Sequence, residues 1–371
     1  MTRRGFLAGG ASAVSLGAFC GCRVPGVPPR AGDAKGRSYS VPVLGDIHFD
    51  SPDTKRYHAD YTHSTSKKRY RAHLAEHVRN SEMWKERMPR LVRASGACMR
   101  GDEAFALQMG DLVQGDCGNG ATHARMLGDA FSFVKGAYGG RIPLVVVAGN
   151  HDIRGDIRGD GARATLEKWL PETAAKELGV PVGGTTFSFR HGPDAYIVVD
   201  FNEPRPNLAL LKRLLAETEG ARYTFVVSHG PAVPNCISRW FLLGEKKRDA
   251  ARRELRSLLA RRNAIALGGH THKLELYDCA LPEGRLTQFV FNSVWTKPEA
   301  AAMNVVGRGA AEYGRLDACM AELVSEYRPF VKDYLFATAA GHYRLDVSDS
   351  GVEVAFYAGD ATAPSRTFRL R

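Results

Sequence analysis

Short apolar runs recur along the chain, and most end abruptly on a polar side chain. The clearest is "IPLVVVAGNHDIRGD", Ile142 to Asp156. Its aliphatic, largely β-branched run predicts a fully buried strand. The run stops at Gly149, read as the residue that allows a tight turn, and then presents Asn150, His151 and Asp152 in succession. "SYSVPVLGDIHFD" has the same shape, a strand over Ser40–Leu44 leading to Asp46 and His48, and "AFALQMGD" ends on Gly110 and Asp111. "YTFVVSHG" ends on His229, and "AIALGGHTHK" on His270 and His272. Between these runs the apolar positions follow a helical period over Ser81–Met99, Thr122–Tyr138, Leu166–Leu178, Leu208–Glu219 and Asp249–Arg262. "TTFSFRHG" with "AYIVVDFN" predicts an antiparallel hairpin, "RLTQFVFNSVW" a further strand, and "YRLDVSDSGVEVAFYA" two alternating runs around a turn at Ser348–Gly351. Strand and helix alternate, which predicts an α/β fold with covered sheet faces.

One segment breaks the alternation. Ser51–Asn80 is polar, rich in Tyr, His, Lys and Arg, and too long for an ordinary connection, so it is read as an insertion or lid. Its His58, His63, His73 and His77 are read as solvated, with the lining of a lid over the site as the alternative.

Composition adds little to the class. With 44% hydrophobic and 25% charged residues in a 371-residue chain, it is that of a soluble globular protein built around one large domain. The net charge of +11 favours anionic partners (nucleic acid, phosphorylated small molecules or headgroups) without choosing among them.

The N-terminus reads as a targeting segment. Arg3 and Arg4 precede a Gly/Ala-rich apolar run from Phe6 to Phe19, of signal-peptide length and too short to span a bilayer. The paired arginines followed by Gly5, Phe6 and Leu7 resemble a twin-arginine export signal, which implies a periplasmic or cell-surface protein. Cys20 or Cys22 is a candidate lipid acceptor that would anchor the chain to the membrane, although neither preceding tripeptide is a good lipobox. The layout expected is a signal peptide over 1–22, a Pro/Gly-rich linker over 23–38 and a catalytic domain over 39–371, with residues 51–80 as the insertion and 341–371 as a C-terminal β-hairpin region. The remaining cysteines, Cys98, Cys117, Cys236, Cys279 and Cys319, form no CxxC pair, and their odd number leaves one unpaired in a monomer.

The polar strand ends carry the chemistry. Ligands of α/β sheets bind beyond the carboxyl ends of the strands, so these tips can converge in space. Carboxylate, imidazole and amide oxygen together suit Mn, Fe or Zn. Each piece alone is commonplace: Asp-x-His is usually a surface pair and Gly-Asp a turn. Five of them in order, each after an apolar run, are not. No P-loop or nucleotide-binding Gly-rich motif accompanies them.

The order Asp-x-His, Gly-Asp, Gly-Asn-His-Asp, His, Gly-His-x-His resembles the calcineurin-like metallophosphoesterase superfamily, over roughly Val41 to Val294. The resemblance implies a four-layer α/β/β/α sandwich and a centre of two divalent metal ions, Mn, Fe or Zn. One ion would take Asp46, His48 and His272, the other Asn150, His229 and His270, with Asp111 bridging. His151 would stand at the substrate, donating to its phosphate or protonating the leaving group, and Asp152 would orient it. The reaction implied is hydrolysis of phosphate esters, monoester or diester, by a hydroxide bridging the metals, on a phosphorylated small molecule or nucleotide. Purple acid phosphatases of this superfamily place a tyrosine ligand three residues after the bridging aspartate; here that residue is Gln114, so no tyrosinate-to-iron colour is expected.

Two other readings stay open: a catalytically silent binding protein of the same fold, and, from the basic charge, an extracellular nuclease. Arg154 reads as a substrate-phosphate contact or an ion pair, and Trp240 and Phe241 as a leaving-group pocket or core.

Overall fold

The computed structural model describes residues 37–62, 66–155, 161–202, 206–234, 241–315 and 321–371. The signal-peptide, linker and lipid-acceptor readings lie outside these residues, as do His63, Cys236, Trp240 and Cys319. Cys98, Cys117 and Cys279 are in no disulfide. Among the described residues no helix is long and apolar enough to cross a membrane.

In chain order the elements begin with strand β1 (Tyr39–Leu44) and helices α1 (Lys55–His58), α2 (Lys67–Lys85) and α3 (Arg87–Ala97). Next come β2 (Ala106–Gln108), α4 (Gly120–Ala137), β3 (Leu144–Val146), α5 (Ala162–Leu178) and the predicted hairpin of β4 (Phe187–His191) and β5 (Asp194–Val199). Then follow α6 (Leu208–Glu217), β6 (Thr224–Ser228), α7 (Asp249–Arg261), β7 (Ile265–Gly268), β8 (Leu274–Leu281) and β9 (Gly284–Val290). The chain closes with β10 (Asn304–Arg308), α8 (Ala321–Ser325), β11 (Val331–Thr338), β12 (Gly341–Ser348), β13 (Gly351–Ala358) and β14 (Arg366–Arg369).

The strands form two sheets. One has six strands in the order β14-β13-β12-β1-β2-β3, the other eight in the order β10-β11-β8-β9-β7-β6-β5-β4. Parallel pairing joins β1, β2 and β3 in the first and β5, β6, β7 and β9 in the second, so the carboxyl ends of each set point one way. Both faces of the second sheet are buried. Tyr196, Val198, Phe225, Val227, Ile265 and Leu267 belong to the core shared with the first sheet, which extends to α3, α4 and α5. The alternate residues Ile197, Val199, Val226 and Ala266 belong to a second core with α6 and α7. This two-sided burial is why those strands read as unbroken apolar runs. The result is the expected α/β/β/α layering.

Helix starts follow local chemistry. Asn119 caps α4 by accepting from Thr122 N at 2.8 Å, and Ser66 caps α2 by accepting from Arg69 N at 3.2 Å. The helix expected over Ser81–Met99 is in fact two. Glu86 leaves helical geometry (φ −145°), and the chain before it is helical back to Lys67, inside the segment read as insertion. Polar composition hid α2 because its buried stripe is itself polar: His73, His77, Asn80 and Ser81, together with Met83 and Trp84. The solvated reading of His58, His73 and His77 is overturned, since they are only 8%, 7% and 2% exposed.

Candidate metal centre

Five strand ends meet at one place. β1, β2 and β3 deliver Asp46 and His48, Asp111, and Asn150 and His151; β6 and β7 deliver His229, and His270 and His272. Two groups of ligand-type atoms form there, Asp46–His48–Asp111–His272 and Asp111–His229–His270, and Asp111 belongs to both. Asn150 joins the second, its Oδ1 lying 3.2 Å from His229 Nε2.

Backbone and neighbours fix the aim of each side chain. His229 Nδ1–H donates to Met109 O at 2.8 Å, which leaves Nε2 facing Asp111 Oδ2 (3.2 Å) and His270 Nδ1 (3.1 Å). Asp46 Oδ1 accepts from His270 N at 3.0 Å, and its Oδ2 lies 3.2 Å from His272 Nε2. Asp111 Oδ1 accepts from His151 N at 2.7 Å, and its Oδ2 lies 3.7 Å from His48 Nε2. His48 Nε2 and His272 Nε2 are 3.0 Å apart. Trp84 Nε1 of α2 donates to His48 O at 2.8 Å and holds that loop.

The donor set fits divalent cations. Metal–ligand bonds of about 2.1 Å put neighbouring ligand atoms about 3.0–3.4 Å apart in octahedral or tetrahedral shells. The oxygens and nitrogens here stand at nearly those separations, and Asp46 Oδ2 is buried with no hydrogen-bond partner. The electrostatics centre on the two carboxylates. Burial opposes ionisation of Asp111, yet the surrounding imidazoles, His229 first, hold its carboxyl well below the usual carboxylate range. Burial keeps His48 neutral and pushes His270 down to about 4, while His229 is pushed up to about 9 because Asp111 and Asp46 outweigh its burial.

The backbone is strained at the same residues. His48, Asp111, His270 and His272 all have positive φ (42°, 50°, 71° and 52°), a region that costs non-glycine residues roughly 1–2 kcal/mol each. Glycines make room beside them. A Cβ on Gly110 (φ 90°) would meet His229 Nδ1 at 2.6 Å, and one on Gly149 would meet Asp111 N at 2.0 Å. Gly149 is not among the positive-φ glycines, so what it supplies is space for Asp111, not the tight turn expected of it.

Asp152 does not orient His151. Its Oδ1 accepts from Val113 N (3.0 Å) and its Oδ2 from Gly149 N (2.8 Å), so it ties the β3 turn to the Asp111 loop. Burial, reinforced by the charge of Asp111, pushes its carboxyl up to about 7. His151 is held instead by Gln114 O, 3.0 Å from Nδ1, and by Arg154, whose Nη1 lies over the ring, 2.9 Å from Nε2 and 3.2 Å from Nδ1. Arg154 itself is ion-paired to Asp116 and Glu76. Sequence reading missed Asp116, Glu76 and Asn80; the helical spacing of His73, His77 and Asn80 was the signal available.

Two hollows flank the cluster. One, of about 540 Å³, is lined by Asp111, Asn150, His270, Phe201 and Phe241, with the Phe201 ring 5.2 Å from those of His229 and His270. Phe241 is thus both pocket wall and core. The other, of about 240 Å³, runs past His48, His151 and His272 to Glu76 and Arg79 of α2. The His272 side chain is 41% exposed, so the centre opens to solvent there.

Among solved structures the chain is similar to GAP50, the anchor in the inner membrane complex of Plasmodium (13% identity, covering 90% of this chain and 89% of that one, TM-score 0.47). It is also similar to a dimetal phosphatase from Danio rerio (11%, 90% and 100%, TM-score 0.46) and to a purple acid phosphatase from yellow lupin (Lupinus luteus) seeds (10%, 90% and 53%, TM-score 0.47). No curated protein matches it. The calcineurin-like phosphoesterase family model matches residues 40–274, which hold every one of the clustered strand ends, and the chain belongs to that family.

Proposed function

We propose that this protein hydrolyses phosphate esters at a centre of two divalent cations. Asp46, His48 and His272 hold one cation, Asn150, His229 and His270 the other, and Asp111 is shared. The observation that carries this reading is the Asp111 carboxylate, one oxygen of which faces His229 Nε2 at 3.2 Å and His48 Nε2 at 3.7 Å. When bound, such cations neutralise the charge of an anionic ester and lower the pKa of water to about 7.

The chain's own residues do the rest. Met109 O fixes the tautomer of His229, and the His151 and His270 amides fix the carboxylates of Asp111 and Asp46. Phe201 and Phe241 exclude water from one wall. His151, whose Nδ1 lies 3.0 Å from Gln114 O, is the imidazole placed to donate to the substrate phosphate or to the departing oxygen. The substrate class is a phosphorylated small molecule or nucleotide. Export by a twin-arginine signal, with or without a lipid on Cys20 or Cys22, belongs to the same proposal and rests on the N-terminal residues.

A panel of phosphate mono- and diesters, assayed with Mn, Fe and Zn in turn beside metal analysis, tests the reading. Turnover of at least one ester class with two ions bound per chain is expected. A fully loaded protein that hydrolyses none of them is a silent member of the family. Cell fractionation and the mass of the mature N-terminus test export; an unprocessed cytoplasmic chain overturns it.

A further inference from the structure

The smaller hollow beside the centre holds donors with nothing to bind. It reaches from His48, His151 and His272 to α2 and measures about 240 Å³. Gln114 lines it and is fully buried. Asn80 Nδ2 donates to Gln114 Oε1, which leaves Gln114 Nε2 a buried donor with no acceptor. Folded proteins leave few such groups unmatched, because a buried N–H that gives up water and gains no partner is costly.

The residue before Asn80 on the helix is Arg79. It lines the same hollow from an exposed position. Among the described residues its guanidinium has no acid and no hydrogen-bond acceptor. Glu76, one turn earlier on the helix, is ion-paired to Arg154, and so is Asp116. An exposed arginine without a partner is ordinary on its own. This one shares a hollow with a buried orphan amide, and that hollow opens on the residues that carry the chemistry. A guanidinium and an amide N–H offer donors only. The charge of the guanidinium selects an anionic acceptor, a phosphate or carboxylate oxygen.

We propose that the α2 insertion reads a second anionic group on the substrate: with the ester phosphate at the strand ends, Arg79 and Gln114 Nε2 take a phosphate or carboxylate carried on the same molecule. This narrows the substrate class to phosphate esters with two anionic ends. What the second anion is attached to rests on the hydrolase reading above; the preference for two anions does not.

The test has two arms on the full, metal-loaded protein. The first reads binding alone, with probes that cannot be hydrolysed. Alkanediyl bisphosphonates and phosphonoalkanoates of increasing length are titrated by calorimetry, each beside the alkylphosphonate of the same length. Wild type is expected to bind a two-anion probe about 10-fold more tightly than its one-anion counterpart. Which of the two series gains shows whether the second group is a phosphate or a carboxylate. In Arg79→Met the advantage is expected to fall to about 2-fold or less, the factor that two identical ends supply by themselves, and Arg79→Lys is expected to keep part of it. Arg79→Glu should reverse it. Gln114→Met, which removes the buried donor but no charge, is expected to lower it about 3-fold. Arg79 is exposed, so its replacement opens no cavity. No advantage in wild type, or one that survives Arg79→Glu or Gln114→Met intact, overturns the proposal.

The second arm reads turnover of the matching alkyl and carboxyalkyl phosphates and alkanediyl bisphosphates. The ratio of kcat/KM for the two-anion over the one-anion ester is expected at about 10 in wild type, carried by KM, and near one in Arg79→Met. Equal efficiency on both kinds of ester in wild type overturns the proposal and leaves the hydrolase reading standing. A binding preference without turnover of any ester overturns the hydrolase reading and supports this one.

Discussion

Two clusters of histidine and aspartate lie side by side in this molecule, and they are built on opposite rules. In the one at the strand ends, ligand-type atoms crowd around a shared carboxylate: His48 Nε2 against His272 Nε2 at 3.0 Å, His229 Nε2 against Asp111 Oδ2 at 3.2 Å. In the one on α2, donors meet acceptors. His58 takes Asp116 O and the Asp50 carboxylate, His77 takes Asp116, and Tyr61 takes His73 at 2.6 Å. The rings of His58 and His77 stack at 3.8 Å, a contact that leaves no room for an ion between them. Both clusters are built from histidine and aspartate and are largely buried, His272 excepted. The convergence of ligand-type atoms on one shared carboxylate is what separates a candidate cation site from a structural hydrogen-bond network.

The sharpest way to break that contrast is to change one oxygen in each cluster. Asp111→Asn is expected to lower ester hydrolysis at least about 1000-fold and bound metal from two ions to one or none, since the shared carboxylate serves both groups. Asp116→Asn is expected to keep two ions. Metal analysis decides, and loss of metal from the Asp116 variant would erase the distinction.

Gly149→Ala touches no ligand, yet its Cβ would meet Asp111 N at 2.0 Å. Metal affinity is expected to fall about 10- to 100-fold, the effect of disturbing a group that supports a ligand, as read by titration calorimetry. Unchanged affinity would show that the β3 turn moves freely relative to Asp111.

Chelation should separate the clusters by stability. Binding to the folded state adds about 2.7 kcal/mol when the free ion stands at 100 times its Kd, and a chelator removes it. His77→Leu, by contrast, leaves Asp116 short of a partner and is expected to cost about 1–3 kcal/mol while the metal-dependent shift in Tm stays as in wild type. A shift that shrinks in His77→Leu would mean the two clusters share a ligand.

The smallest expected effect is in pH. Burial pushes the Asp116 carboxyl up, but the His77 hydrogen bond and the Arg154 charge outweigh it and hold it below the usual carboxylate range. A depressed folded pKa gives stability that is present above the unfolded value near 4 and is lost as pH falls toward the folded one. The unfolding free energy of wild type should therefore exceed that of Asp116→Asn at pH 6, by about 1–2 kcal/mol, and the gap should narrow below about pH 4. A gap independent of pH counts against an ionised Asp116.

The strand ends were legible in the sequence because each combines two strong signals, a two-sided buried run and an abrupt metal-type side chain. α2 was not, because its buried face carries His73, His77 and Asn80 where an amphipathic helix normally shows aliphatics. Adjacency misled at Asp152: it follows His151 in the chain, but its carboxylate accepts from Val113 N and Gly149 N instead. β8 escaped notice because Glu275 and Asp278 interrupt its apolar run, and β10 because it is a largely exposed edge strand. Neither is a run of the kind that ends in a ligand.

The six-stranded sheet has a consequence for how the chain is made. β1 carries Asp46 and His48 at its tip, and its partner on one side is β12, about three hundred residues later (Tyr39 opposite Val347). On a ribosome, the first metal-type loop to emerge therefore waits beside an unpaired edge until almost the last strand has been synthesised. Such long-range pairing is slow. Premature ion capture by a half-built sheet is the hazard this topology creates.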